Sequence, residues 1–248
     1  MSTVILPHQV SSQSYHQASV YLDACFILAF LDKSDTRRLQ VAHTIDLWAN
    51  AGGVTLGVSP LTYSEVIRNL IQTHILRAVQ VYQDKQAYLD RGAHTVRGLP
   101  QDEQRALVDY HSAKTLYQVA KSNRHVYFNK DSEFLVNVNE LVKSVKKRNN
   151  QQCLEVFYSL AVEIYNQLMM SLHNDFGFTT RVVPVTSAEY LLAQGHVSLL
   201  LLESADALHL ATARMSQFDY IATLDGDFVR ANYSKQSSTA ITKILSVA

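Results

Sequence analysis

The chain has little of what marks several common protein classes. Two cysteines in 248 residues, Cys25 and Cys153, give neither a disulfide framework nor the paired spacing of a zinc site. Both stand in apolar surroundings and read as core residues, which fits a reducing compartment. Eight glycines and four prolines leave few tight turns and favour a helix-rich chain. Neither charge sign is in excess, since 22 Lys plus Arg balance 22 Asp plus Glu. The balance excludes a domain that attracts nucleic acid through its overall charge. It leaves room for a local basic surface, because fields act locally. No apolar run approaches the roughly 18 residues that a membrane-crossing helix needs. The opening residues, MSTVILPHQVSSQSYHQ, lack the charged start and apolar core of a signal peptide. These absences predict a cytoplasmic protein with no membrane partner.

What is present is an α/β pattern interrupted by a helical stretch. Residues 1–17 are polar and read as a loose arm or an edge element. A short β-type run, Val20 to Leu22, then ends on Asp23, and the apolar residues Cys25 to Leu31 start a helix. In TRRLQVAHTIDLWANAG, Leu39, Ala42, Ile45 and Leu47 recur at mostly helical spacing before Gly52-Gly53 stops them. VTLGVS is a buried-strand candidate. Ser59 then caps a helix whose first residue is Pro60, where a missing N–H costs nothing. From about 78 to 180 the pattern is helical, apart from a weak β-type HVYF. DSEFLVNVNELVKSVKKRNN carries an apolar stripe through Phe134, Leu135, Val138, Leu141, Val142 and Val145, and the stripe reads as core packing. Afterwards TRVVPV and DYIATL read as strands and STAITKIL as a last strand. TSAEYLLAQG is a helix capped by Thr186 or Ser187. Alternating strands and helices imply a parallel sheet with helices on both faces, and ligands gather outside the carboxyl ends of such strands.

Acidic residues recur at those ends. Asp23 and the pair Asp225 and Asp227 each follow a strand, while Glu65 and Asp206 lie near helix starts. Carboxylates pressed together repel, and one or more takes up a proton unless a cation intervenes. Oxygen donors without sulfur suit Mg2+ or Mn2+. A cation bound there acidifies a water and neutralises charge on a phosphoryl oxygen, which is the chemistry of phosphodiester hydrolysis. Each acid also has a plainer explanation. Asp206 suits a helix N-terminus, Asp225 suits an Asp-Gly turn, and Glu65 suits a solvated helix face. His209, one turn after Asp206, reads as a helix-packing residue rather than a general base.

VYLDACFILAFLD, SPLTYSEVIRNL, SADALHLATA and YIATLDGDF, in this order, resemble the four acidic blocks of the PIN-domain nucleases, in the style of the VapC-like toxin ribonucleases. The resemblance covers roughly residues 19–70 and 180–230. It implies a central parallel sheet flanked by helices over 18–248, within which the mostly helical stretch at about 78–180 reads as an insertion. It also implies metal-dependent RNA cleavage, with Asp23, Glu65 and Asp206 at the core acidic positions and Asp225 at the fourth, replaced or assisted by Asp227. A cognate antitoxin protein and a homodimer are the partners it adds to RNA. The chain departs from the pattern in its long insertion, and in Ala24 and Cys25, which stand where many members have a small polar residue and Asn. That second departure weakens one contact supporting the site.

Arg68 and the basic run Lys143, Lys146, Lys147 and Arg148 are the candidate contacts to an RNA backbone, contacts that carry affinity without sequence choice. The run also suits a helix C-terminus, where cations meet the dipole. The alternative to an enzyme is a PIN-fold module that binds RNA or protein without cutting. A haloacid-dehalogenase-type phosphatase needs D-x-D after the first strand, and Asp23-Ala24-Cys25 lacks it.

Overall fold

The structure, a computed structural model, describes residues 4–123, 126–128, 134–233 and 242–248. In chain order its first elements are β1 (Val4–Ile5), β2 (Ser19–Leu22), α1 (Ala24–Leu31), α2 (Arg38–Ala51), β3 (Thr55–Val58) and α3 (Pro60–Asp84). Then come α4 (Gln86–Leu89), α5 (Gln101–Leu107), α6 (Tyr110–Ser122), β4 (Val126–Phe128), β5 (Phe134–Val136), α7 (Val138–Lys147) and α8 (Gln152–Asn174). The last are β6 (Thr179–Val182), α9 (Ser187–Leu200), α10 (Ser204–Met215), β7 (Tyr220–Thr223), α11 (Gly226–Arg230) and β8 (Lys243–Ser246). The chain divides into two compact units, residues 1–66 with 166–248, and residues 67–165. It passes from the first to the second within α3 and returns within α8. No helix among the described residues is long and apolar enough to cross a membrane.

The first unit is α/β. Its six strands lie in the order β1-β8-β7-β2-β3-β6, and every neighbouring pair is parallel. The arm expected at residues 1–17 contributes β1, an edge strand of this sheet. The central strands are apolar runs buried on both faces, as all-parallel sheets require. Alternate residues serve opposite layers. Tyr21, Ile221 and Ile244 join Ala193, Leu200, Leu210 and Phe218 in one core with α9 and α10. Leu22 and Leu56 meet Phe26, Ile27, Ile45, Trp48, Leu168 and Leu172 around a small apolar cavity on the other face. Gly57 lies beside Tyr21 in the β2–β3 register, and a Cβ there would fall 2.0 Å from the Phe218 ring. Only glycine leaves room for the end of that ring against the strand.

The capping signals act locally as the sequence implies. Asp23 is extended and its carboxylate accepts from the Ala24 N–H, opening α1. Ser59 accepts from the Thr62 N–H at 3.3 Å as α3 begins at Pro60. Thr186 and Glu189 cap α9 reciprocally. Two stripes differ from expectation. In α2 the buried face is Val41, Thr44, Ile45 and Trp48, while Leu39 is 78% exposed, because the sheet and α1 select the face the helix shows them. The stripe from Phe134 is helical only from Val138. Phe134–Val136 is β5, antiparallel to β4, the strand foreseen in HVYF. Of STAITKIL, residues 238–241 lie outside the described residues, and Lys243–Ser246 forms β8.

The second unit is mostly helical. Tyr82, Leu107, Leu116, Tyr117, Leu141, Val145, Phe157 and Ala161 are buried there, and the Tyr82 and Tyr117 rings lie 5.3 Å apart.

Candidate metal centre

The sheet sets where the site lies. From β2 the chain lays β3 and β6 on one side and later β7 and β8 on the other, so the strand order reverses between β2 and β7. In open parallel sheets a crevice forms at that point, beyond the carboxyl ends of the strands. Asp23 follows β2, Asp225 follows β7, and Glu65 enters on α3, directly after β3.

Asp23 is 5% exposed. A buried carboxylate needs partners, and it has them. Oδ1 accepts from the Ala24 N–H at 2.6 Å. Oδ2 accepts from the Thr223 hydroxyl and the Cys25 thiol, both at 2.8 Å. Cys25 Sγ in turn accepts from the Leu224 N–H at 3.1 Å. The cysteine at the departure from the family pattern thus supplies a contact to Asp23. Burial, reinforced by the Asp23 charge, holds its thiol well above the usual range, so it is a poor nucleophile.

Asp23, Glu65 and His209 each present one donor atom, and the three atoms lie within 4.8 Å of one another. His209 Nε2 is 3.0 Å from Glu65 Oε2 and 3.7 Å from Asp23 Oδ1. The ring is 1% exposed, and Nδ1 lies 2.8 Å from the Tyr21 hydroxyl. That hydroxyl also meets Ser59 Oγ at 2.7 Å and Thr62 Oγ1 at 3.0 Å. Burial works against charge on the imidazole, but the Glu65 hydrogen bond and the charges of Asp23, Glu65 and Asp206 outweigh it and raise its pKa.

Asp206 sits in the first turn of α10 behind Glu203, which occupies the N-cap without a side-chain cap bond. Burial first, then Asp225 and Asp23, and finally Asp227, push its carboxyl up to about 7, against a smaller lowering by His209. Asp225 caps α11 by accepting from the Asp227 N–H at 2.8 Å, and its own N–H donates to Thr223 Oγ1 at 2.9 Å. Asp227 accepts from the exposed Arg230 at 2.8 Å. Of the five acids named from sequence, the structure brings Asp23 and Glu65 together around His209; Asp206 feels the charges of Asp225, Asp23 and Asp227 but, among the described residues, is not part of that close group, and neither are Asp225 and Asp227. His209 joins Asp23 and Glu65 although its sequence position favoured packing over a role as general base. Its signal was the D-x-x-H spacing, which puts Asp206 and His209 on one helix face.

The remaining candidates belong to the second unit. Arg68 is exposed on α3. Lys143 pairs with Glu140 at 2.7 Å, Lys146 lies over the Tyr158 ring, and Arg148 donates to Asn123 Oδ1 at 2.7 Å. Lys147 is exposed.

The donor set fits a divalent cation. The Asp206 carboxyl is pushed up to about 7 by burial and then by its acidic neighbours, and a cation beside it would favour the charged form. Comparison with family models, with curated proteins and with solved structures gave no match.

Proposed function

We propose that the chain is a metal-dependent endoribonuclease of the PIN type. The single observation that carries this reading is the group of Asp23, Glu65 and His209, whose donor atoms lie within 4.8 Å of one another, with Asp23 directly after β2 and Glu65 on the helix that follows β3. The Asp206 carboxyl, pushed up to about 7 by burial first and then by Asp225, Asp23 and Asp227, supports the reading, because a nearby cation would favour its charged form. Asp23, Glu65, Asp206 and Asp225 would hold Mg2+ or Mn2+, with Asp227 at the rim. The cation, when bound, supplies an acidic water and a counter-charge for a phosphoryl oxygen. The chain's part is positioning. Thr223, Cys25 and the Ala24 N–H fix the Asp23 carboxylate before anything binds, and such supporting contacts govern metal sites as strongly as the ligands do. The Asp227–Arg230 pair is exposed, worth about 0–1 kcal/mol, and opens at little cost. RNA backbone contacts are assigned to Arg68, Lys143, Lys146, Lys147 and Arg148, and a small inhibitor protein would act by covering the acids.

The second reading is a module of the same fold that binds RNA or protein without cutting. One observation favours it, namely that His209 Nε2 lies 3.0 Å from Glu65 and 3.7 Å from Asp23, where a protonated ring would balance their charge without a cation. The test is cleavage of mixed structured and unstructured RNA with Mn2+, with Mg2+ and with chelator, for wild type beside Asp23→Asn and Asp206→Asn. Cleavage that needs both metal and the two acids is the expected result. Folded wild type that cuts under no condition moves the reading to binding.

A further inference from the structure

His209 is placed and supported as a ligand is, beyond what an acidic centre for Mg2+ requires. Its ring is sealed from solvent, with Nε2 turned to the carboxylates and Nδ1 to Tyr21. The Tyr21 hydroxyl can either donate or accept, because Ser59 and Thr62 hydroxyls stand on its other side. Thr62 is anchored in turn on the Leu22 carbonyl at 3.3 Å. This network accommodates both imidazole tautomers. With the proton on Nε2, the ring donates to Glu65. With the proton on Nδ1, the ring donates to Tyr21 and turns a lone pair into the space between Glu65 and Asp23. A ring N–H directed to a fixed acceptor, with the other nitrogen facing carboxylates, is the arrangement of a metal-binding histidine.

The spacing agrees. Donor atoms bound about 2.1–2.2 Å from one ion and at right angles lie about 3 Å apart. The Nε2 to Glu65 separation is 3.0 Å and the Nε2 to Asp23 separation is 3.7 Å. Imidazole is a poor partner for Mg2+, which favours oxygen and keeps its waters, and a good one for first-row transition ions.

We propose that His209 binds the cation through Nε2 beside Asp23 and Glu65, so that the centre takes a first-row transition ion such as Mn2+ in preference to Mg2+. The inference rests on the metal centre of the preceding reading, and not on RNA being the substrate.

The test uses the full chain and Mn2+. Electron paramagnetic resonance counts bound Mn2+, and spin-echo modulation detects nitrogen on the ion. Wild type is expected to bind one equivalent with a nitrogen coupling that changes when histidine is labelled with 15N. In His209→Gln, which keeps a polar group, the coupling disappears. Its Mn2+ affinity falls at least tenfold while Mg2+ affinity changes less than threefold. Bound Mn2+ without nitrogen coupling in the wild type overturns the inference and leaves His209 a positioning partner of Glu65; this arm needs no variant to fold. Equal losses for both metals overturn the selectivity. No Mn2+ binding by folded wild type removes both the inference and the metal centre. Nitrogen-coupled Mn2+ on a chain that cuts no RNA removes only the nuclease reading.

Discussion

Asp206→Asn deletes one negative charge where the carboxylates crowd, with almost no change of shape. The wild-type carboxyl is pushed from 3.8 up to about 7, chiefly by burial and then by Asp225 and Asp23. Between those values the folded protein keeps a proton that the unfolded chain has released, so metal-free stability falls as pH rises through the window. At about 1.4 kcal/mol per pH unit the loss has a ceiling of about 4 kcal/mol. Asp206 is only partly buried, and solvent screening brings the expected loss to about 1–2 kcal/mol. Asparagine carries no charge at either end of the window. Relative to wild type, the metal-free variant should therefore gain nothing at pH 4 and about 1–2 kcal/mol by pH 8. The assay is urea unfolding followed by Trp48, the one tryptophan, which is buried and stacked on Phe26 in the α/β unit. Adding Mn2+ should reverse the order. Metal at 100 times its Kd stabilises the wild type by about 2.7 kcal/mol and the variant far less. Stability curves for the two proteins that run parallel from pH 4 to 8 would refute the electrostatic reasoning, since they would mean that Asp206 titrates as an ordinary carboxyl.

Three further perturbations separate packing from chemistry. Tyr21→Phe leaves His209 Nδ1, Ser59 and Thr62 short of a partner, so calorimetry should find about 1–3 kcal/mol of stability lost. Titration of the same variant should find Mn2+ affinity about tenfold lower, as for other supporting contacts to ligands. Gly57→Ala drives a methyl into the Phe218 ring, which is fully buried and has no free direction; urea unfolding should show a loss of about 3 kcal/mol. Replacing Lys143, Lys146, Lys147 and Arg148 together with alanine should flatten the salt dependence of RNA binding, by up to about one slope unit for each phosphate no longer neutralised, while leaving Mn2+ affinity unchanged.

The sheet was legible because a parallel strand buried on both faces is a short apolar run, and β2, β3 and β7 each end abruptly on a polar residue. Helix starts were legible where a cap announces them, as at Ser59-Pro60 and Thr186. Leu39 was misread because helical spacing gives a stripe but not which stripe the sheet selects; packing buries Val41 and Trp48 instead. Phe134 and Leu135 continue the period of α7 so well that nothing local marks the change to strand. Among site residues, the acids stood out because a carboxylate in an apolar run needs a reason. His209 did not, since a histidine on an apolar helix has many ordinary explanations. Its role depends on Tyr21 and Glu65, 188 and 144 residues away in sequence. That the acids would crowd was legible from their places at strand ends and helix starts, but not that Asp206 would be the one raised, since the largest cause is its burial by surrounding packing.

The strand reversal between β2 and β7 also sets a timetable. Asp23 and the Thr223 hydroxyl that holds it are 200 residues apart, with the whole second unit between them in sequence. Contacts this distant form late, because the intervening chain must be ordered before they are made. During synthesis Asp23 and Glu65 emerge early, and for most of that time they face neither Asp206 nor His209 nor Asp225. The proposed centre is complete only once β7 lies beside β2 in the sheet. Any chemistry the proposed centre performs would thereby be withheld from the nascent chain, and a polypeptide cut short within the second unit would carry Asp23 and Glu65 without His209, Asp206 or Asp225.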